Sequence, residues 1–315
     1  MYYWKTRLNL NNYDKAFLRE HQVERLWVRC FDVDWDSQQQ RPMPIGVLQM
    51  DESLSIDQPI VPVVFITNRC IRALADSQVS SLAHQIDGLL SHLKSAHPSI
   101  TWQPEWQIDC DWTTQTKQRY FTLLDSLHAL RPNDTLTATI RLHQVRQMSK
   151  TGVPPVDRGM LMVYNMGDLQ QVGDHNSILD EQTLAPYLSA LQQYTLALDM
   201  ALPVFSWMLQ FRGQAFVGIL RETPASLMEN NPAFRTLSAH RWEALKDTTL
   251  AGYPVQAGDQ FRWEDAPMET LQSVAKALRA HRKNTPKWVG LYHLDSIPLS
   301  KYASHDLETV FRGLH

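Results

Sequence analysis

Trp106-Gln107-Ile108-Asp109-Cys110-Asp111-Trp112-Thr113-Thr114 is the stretch on which the reading of this chain turns. Side chains alternate across a strand, so Gln107, Asp109, Asp111 and Thr113 share one face while Trp106, Ile108, Cys110 and Trp112 share the other. If the apolar face packs under a helix, the polar face lines an interior or a cleft with two carboxylates. Acids on a buried face are costly without partners or a task, so this pair marks the place to look for function. The competing reading is an acid pair satisfied by backbone groups and a cation.

Working outward, the same pattern recurs. Glu24 to Asp34 is a near-continuous apolar run ending in Asp32-Val33-Asp34, as expected of a parallel strand buried on both faces that delivers carboxylates at its end. Gln38 to Pro59 carries three prolines and no amphipathic helix, so the first crossover is irregular, with a short strand at Ile45 to Leu48. Ile60 to Thr67 is a second buried strand, and Leu82, Ile86, Leu89, Leu90 and Leu93 follow at helical spacing. After the central strand, Tyr120, Phe121, Leu124 and Leu127 mark a helix, and Leu136 to His143 is a strand whose polar face holds Thr139, Arg141 and His143. Gly159 to Asn165, Ala201 to Trp207, Ala215 to Leu220 and Trp288 to Asp295 complete the strands. A helix from Asp180, its cap, to Leu196 and another through Leu271, Val274, Ala275 and Leu278 lie between them. Tyr253-Pro254-Val255 and Gln260-Phe261-Arg262 read as a small hairpin outside the main sheet. About eight apolar strands alternating with helices favour a closed (β/α)8, TIM-like barrel of the α/β class over an open sheet.

The 315 residues, 43% of them apolar, suffice for one barrel domain spanning 1–315. With a formal charge of −3 and no basic stripe, nucleic acid is not the expected partner. No apolar run approaches a membrane span, and nothing at the start resembles a signal peptide. Localisation stays open between the cell envelope, if a signal segment precedes this sequence, and the cytoplasm. Three scattered cysteines, Cys30, Cys70 and Cys110, read as reduced packing residues. The twelve histidines form no HxxxH or HExxH arrangement, and no strand is followed by GxGxxG or GxxxxGK[ST]. No metal and no cofactor is therefore expected.

Barrel enzymes gather reactive groups at the carboxyl ends of different strands. That rule assembles Asp32, Asp34, Asp109, Asp111, Arg141, His143, Tyr164, Asn165, Trp207, Tyr292 and Asp295 around one mouth. Trp35, Trp112 and Trp207 also fall at strand ends, and flat aromatic faces suit pyranose rings. Carboxylates with aromatic platforms point to a glycan or oligosaccharide. Cleaving a glycosidic bond takes one group to protonate the leaving oxygen and another to act as nucleophile, base or orienting group. Asp111, Asp109, Asp34 and Tyr164 are the candidates for that chemistry; Asp32, Arg141, His143, Asn165, Trp207, Tyr292 and Asp295 are the candidates for substrate binding. Two residues apart on a strand, Asp109 and Asp111 have Cα atoms about 6.6 Å apart, close enough for one charge to raise the other's pKa.

Ile108-Asp109-Cys110-Asp111-Trp112 resembles the strand motif Asp-x-x-Asp-x-Asp-x-Glu of the family-18 glycoside hydrolases, the chitinase-like barrels. Met162-Val163-Tyr164-Asn165-Met166-Gly167 is similar to that family's Met-x-Tyr-Asp strand, and Trp207 to the indole that floors its sugar subsite. The resemblance implies a barrel and a glycoside hydrolase in which Asp109 and Asp111 match the second and third Asp. The departures are definite: Gln107 and Ile108 do not restore the first Asp, Asn165 stands where Asp is usual, and Thr113 occupies the position of the acid Glu. The order of elements also looks like that of uncharacterised bacterial barrel proteins, some envelope-associated. Thr113 keeps a second expectation open: a catalytically silent barrel that binds a glycan or a protein partner.

Overall fold

Eight parallel strands form the main sheet: β1 (Tyr2–Tyr3), β2 (Leu26–Asp36), β3 (Ile60–Ile66), β4 (Glu105–Asp109), β5 (Thr135–Arg141), β6 (Arg158–Met162), β7 (Leu198–Pro203) and β8 (Val289–Tyr292). They are hydrogen-bonded in that order. The Leu294 amide, just past β8, donates to the Tyr2 carbonyl at 2.7 Å and brings the last strand back to the first. The result is a nearly closed (β/α)8 barrel. These features come from a computed structural model that describes residues 1–51, 54–221, 223–295, 299, 301–302 and 304–314.

The helices are α1 (Asn12–Glu20), α2 (Asn68–Ala73), α3 (Val79–Ala96), α4 (Lys117–Leu130), α5 (Leu142–Arg146), α6 (Met148–Thr151), α7 (Glu181–Leu191), α8 (Met268–His281) and α9 (Ser304–Leu314). The apolar spacings read from the sequence are the faces they bury: Leu82, Ile86, Leu90 and Leu93 on α3, and Tyr120, Leu124 and Leu127 on α4. Asp180 caps α7 by accepting from the Thr183 amide at 2.7 Å, although the helix stops at Leu191, short of Leu196. Among the described residues, the connection from β2 to β3 has no helix, as expected. Arg41–Ile45 folds back antiparallel on the outer half of β2, pairing Asp36 with Arg41 and Asp32 with Ile45.

The strand count is right for a partly wrong reason. Ala215–Leu220 lies outside the barrel, in a five-stranded antiparallel sheet inserted between β7 and α8. All its residues but Leu220 are partly or fully exposed, whereas barrel strands are buried on both faces. The barrel strand that takes its place in the count is β1, Tyr2–Tyr3, too short to show a period. The expected hairpin is also rearranged. Tyr253–Val255 pairs with Thr248–Leu250, while Asp259–Glu264 pairs with Trp207–Arg212 and Arg241–Ala244. The insertion buries its own apolar cluster, including Met208, Leu220, Trp242, Leu250 and Phe261.

Inside the barrel a polar thread replaces part of the usual aliphatic filling. The Tyr2 hydroxyl donates to Gln107 Oε1 at 2.6 Å, and Gln107 Nε2 donates to Thr137 Oγ1 at 3.3 Å. Tyr2 also stacks on Trp27, with ring centroids 5.3 Å apart. The thread thus ties β1, whose two residues contribute little ladder of their own, to β4 and β5. Among the described residues no helix is long and apolar enough to cross a membrane. Cys30, Cys70 and Cys110 are free and buried. Removing the hydroxyl in Tyr2→Phe leaves a buried carbonyl oxygen without its donor. We expect about 1–3 kcal/mol lower stability in urea unfolding, with the far-ultraviolet circular dichroism unchanged.

Candidate functional site

β4 ends at Asp109, and the chain continues extended through Asp111 at the barrel mouth. The alternation read from the sequence holds: Trp106, Ile108, Cys110 and Trp112 are all buried, and Asp109 points inward with 3% of its surface exposed. Asp111, one step further out, has 51% of its side chain in solvent. Arg141, at the end of neighbouring β5, answers both acids. Its Nε donates to Asp111 Oδ1 at 2.5 Å, and its Nη2 lies 3.8 Å from Asp109 Oδ1. The Thr139 hydroxyl, on the same face of β5, donates to Asp109 at 2.5 Å. The register requires these meetings, because β4 and β5 run parallel with Gln107 opposite Thr137. Residues two and four further along then face each other at the mouth.

Burial pushes the Asp109 carboxyl up to about 6, against the pull of Arg141 and the Thr139 hydroxyl and with help from the Asp111 and Asp32 charges. It therefore exchanges its proton in the range where a general acid is useful. The Arg141 guanidinium loses solvent, but Asp109 and Asp111 hold it firmly charged.

Around this triad the other sequence candidates divide. Tyr164 and Tyr292 come together, stacked with centroids 5.0 Å apart, and Phe205 packs edge-on to both. Burial pushes both phenols above their usual range, so they are neutral groups. Tyr164 spends its hydroxyl on the Met162 sulfur, 3.0 Å away. Asp32 is held by Arg29 through two bonds of 2.5 Å. Asp34 accepts from Arg69, from the Thr67 hydroxyl at 2.6 Å and from the Trp35 amide at 2.8 Å. The Arg69 pair, with Thr67 and Trp35, holds its carboxyl down to about 2 despite burial. Asp295 lies 3.8 Å from Lys5 Nζ. Asn165 is exposed and left-handed at φ 52°, where β6 gives way to a loop.

Two placements differ from expectation. His143 is not on a strand: β5 stops at Arg141, whose amide accepts capping from Gln144 by donating to its Oε1 at 2.8 Å, and His143 stands exposed on the first turn of α5. Trp207 does not end a barrel strand, since β7 stops at Pro203. It opens the inserted sheet, half-buried beside Phe205 at 5.3 Å. Trp112, offered as a sugar platform, is fully buried against Tyr120 and gives its indole N–H to the Thr151 carbonyl at 2.9 Å.

The sequence reading missed Glu264. Its carboxylate is 2% exposed and accepts from Trp207 Nε1 at 2.8 Å, Ser177 Oγ at 2.5 Å and Arg262 Nε at 2.6 Å. Arg262 in turn donates to the carbonyls of Gln171 and Gly173 at 2.6 and 3.1 Å, in the loop after β6. The alternation Gln260, Arg262, Glu264 was the available signal, but the segment's mixed pattern hid it. Thr113, in the position of the expected acid, is turned into a local bond, with its Oγ1 3.3 Å from that of Thr116. Among the described residues no group of three His, Cys, Asp or Glu side chains is arranged to hold a metal.

No family model matches the sequence, and no curated protein matches it either. Solved structures do share the fold. A chitinase from Chromobacterium violaceum ATCC 12472 superposes with a TM-score of 0.55 at 11% identity, covering 100% of this chain and 98% of that one. The C-terminal domain of a putative chitinase from Desulfitobacterium hafniense DCB-2 gives 0.57 at 10% identity, with the same coverage of 100% and 98%. The Bacillus cereus spore cortex-lytic enzyme SleL gives 0.54 at 12% identity, covering 100% of this chain and 73% of that one. At such identities the likeness is one of fold, a barrel of the kind these glycan-directed proteins use.

Because Asp109 binds its proton more tightly in the folded chain, its stabilising contribution is full below the ordinary value of 3.8 and is lost as pH rises through about 6. The loss runs at up to about 1.4 kcal/mol for each pH unit of that window. We expect Asp109→Asn to flatten the stability profile between pH 4 and 6, measured by urea unfolding across pH, whereas Asp111→Asn, which removes one of the charges that raise Asp109, should reduce the slope without abolishing it.

Proposed function

We propose that the protein is a carbohydrate-active barrel of the glycoside hydrolase type, acting on a glycan at the mouth formed by Asp109, Asp111 and Arg141. The observation that carries this reading is the division of labour within the triad. A buried carboxyl that exchanges its proton near pH 6 and an exposed carboxylate are bridged by one guanidinium at adjoining strand ends. Asp111 is the group that meets the sugar. Asp109 and Arg141 lie behind it and set its charge and direction, so a proton taken up at the mouth can be shared with the buried acid. Tyr292 and Trp207, both half-buried, supply an aromatic wall alongside, backed by the buried Tyr164 and Phe205 and suited to the apolar faces of pyranose rings. The fold shared with a chitinase, a chitinase-like domain and a cortex-lytic enzyme supports the same class of ligand.

One observation favours a second reading, a silent barrel that binds a glycan without cleaving it. Thr113 replaces the acid that the resemblance calls for, and its hydroxyl is occupied by Thr116. The two readings separate in a hydrolysis assay on a panel of natural glycans that includes N-acetylglucosamine polymers. For an enzyme, Asp111→Asn should lower turnover by about 100-fold or more while its thermal unfolding matches wild type. Binding that weakens in Trp207→Ala, with no turnover by wild type on any member of the panel, would establish the silent barrel instead.

A further inference from the structure

The insertion carries a pocket of about 450 Å3, broadly open to solvent and lined by Arg221, the Ala251–Gly252 turn and Tyr253. A volume of this order falls within the range of small-ligand sites. The wall is open where Gly252 turns with φ +86°, since a Cβ built there would meet nothing within 4 Å. The Tyr253 hydroxyl accepts from the Arg221 amide at 3.4 Å, which keeps the ring and the arginine backbone together.

The cavity adjoins the mouth: Met208 pairs with Leu220 across the inserted sheet, so Arg221, the next residue, follows level with Trp207. The Arg221 charge acts on both Tyr292 and His293, at the end of β8. Three other cations act on the same two residues, and each is matched. Arg29 is paired with Asp32, Arg141 with Asp109 and Asp111, and Lys5 with Asp295. Arg221 makes no ion pair among the described residues. It is exposed, and so free to meet an anion from solvent. A negatively charged ligand nearing Asp111 would be repelled there, and a lone guanidinium on the neighbouring wall is the group that offsets the repulsion. Guanidinium also matches the flat two-oxygen geometry of a carboxylate.

We propose that this cavity is a subsite for a carboxylate-bearing sugar, so that the glycan recognised at the mouth is an acidic one. The inference rests on the glycan reading above and specifies the substrate class for that same site. Arg221 holds the carboxylate and the Tyr253 ring lies along the sugar.

Affinity electrophoresis tests it, with glycol chitin as the neutral polymer and carboxymethyl chitin as its acidic counterpart. Wild type is compared with Arg221→Gln, Arg221→Lys and, as a control, Arg235→Gln, whose exposed guanidinium already pairs with Glu243 at 2.8 Å. Thermal unfolding confirms that each variant is folded. Wild type should prefer the carboxymethyl polymer. Arg221→Gln should lose about fivefold to tenfold in affinity for it while its affinity for glycol chitin stays unchanged, Arg221→Lys should retain part of the preference, and salt should erode the difference as it screens an exposed charge. Equal affinity of wild type and Arg221→Gln for the acidic polymer overturns the subsite and leaves the glycan reading standing. An equal loss in Arg235→Gln overturns it too, since the attraction would then be a property of the whole charged surface. Failure to bind or cleave either polymer, or any glycan of the panel, overturns the glycan reading and the subsite with it.

Discussion

Placing a carboxyl where water cannot reach it is the constraint around which this barrel is arranged. Asp109 is buried at the level of the mouth, and burial alone would favour its neutral form. Arg141 on one side and Thr139 below it keep the charged form within reach. Arg141 is only tolerable in that position because Asp111 meets it from the solvent side. Each of the three therefore needs the other two. The parallel register of β4 and β5 brings them face to face, so the closure of the barrel and the electrostatics of the mouth are parts of one arrangement.

The aromatic side of the mouth follows a different rule. Tyr164 follows β6 and Tyr292 ends β8, and they stack across β7, where Pro203 stands level with Tyr292. Phe205 fills the edge, and Trp207 extends the wall into the inserted sheet. The wall is continuous across two pieces of the chain only because Glu264 and Arg262 fasten the insertion to the loop after β6. A fully desolvated arginine that donates to backbone carbonyls and to one carboxylate fixes geometry strongly, because any displacement leaves charge unanswered in the interior.

How much of this was legible in the sequence depends on how far each signal extends along the chain. β2 and β3 announced themselves through long apolar runs, β4 and β5 through alternation that ends in acids or Arg141, and the pairing of Asp109 and Asp111 with Arg141 follows from strand-end geometry. Tyr2–Tyr3 was invisible as a strand, since two residues carry no period and its place in the sheet is set by contacts with Trp27 and Gln107. Ala215–Leu220 misled for the opposite reason: apolar alternation identifies a strand but does not say which sheet receives it. His143 and Trp207 were displaced by single boundary shifts, the first because Gln144 caps a helix immediately after Arg141, the second because Pro203 ends β7. Glu264 has one local partner, Arg262, and owes the rest of its setting to Trp207 and Ser177, far away in sequence.

The inserted sheet has one more property that bears on how such a molecule is assembled. Trp207 and Glu264, the first residue of its opening strand and the last of its closing strand, are directly paired across the ladder. The chain thus leaves the barrel and returns to it through one doorway. Joining the two ends of a long excursion ordinarily carries an entropic cost that grows with its length, but here that cost is met by the insertion's own hairpin-like pairing. The barrel therefore experiences the excursion as a short connection. Changes within the distant part of the insertion, out to the Phe234–Ser238 edge, can alter what stands over the mouth without altering the spacing the barrel must accommodate.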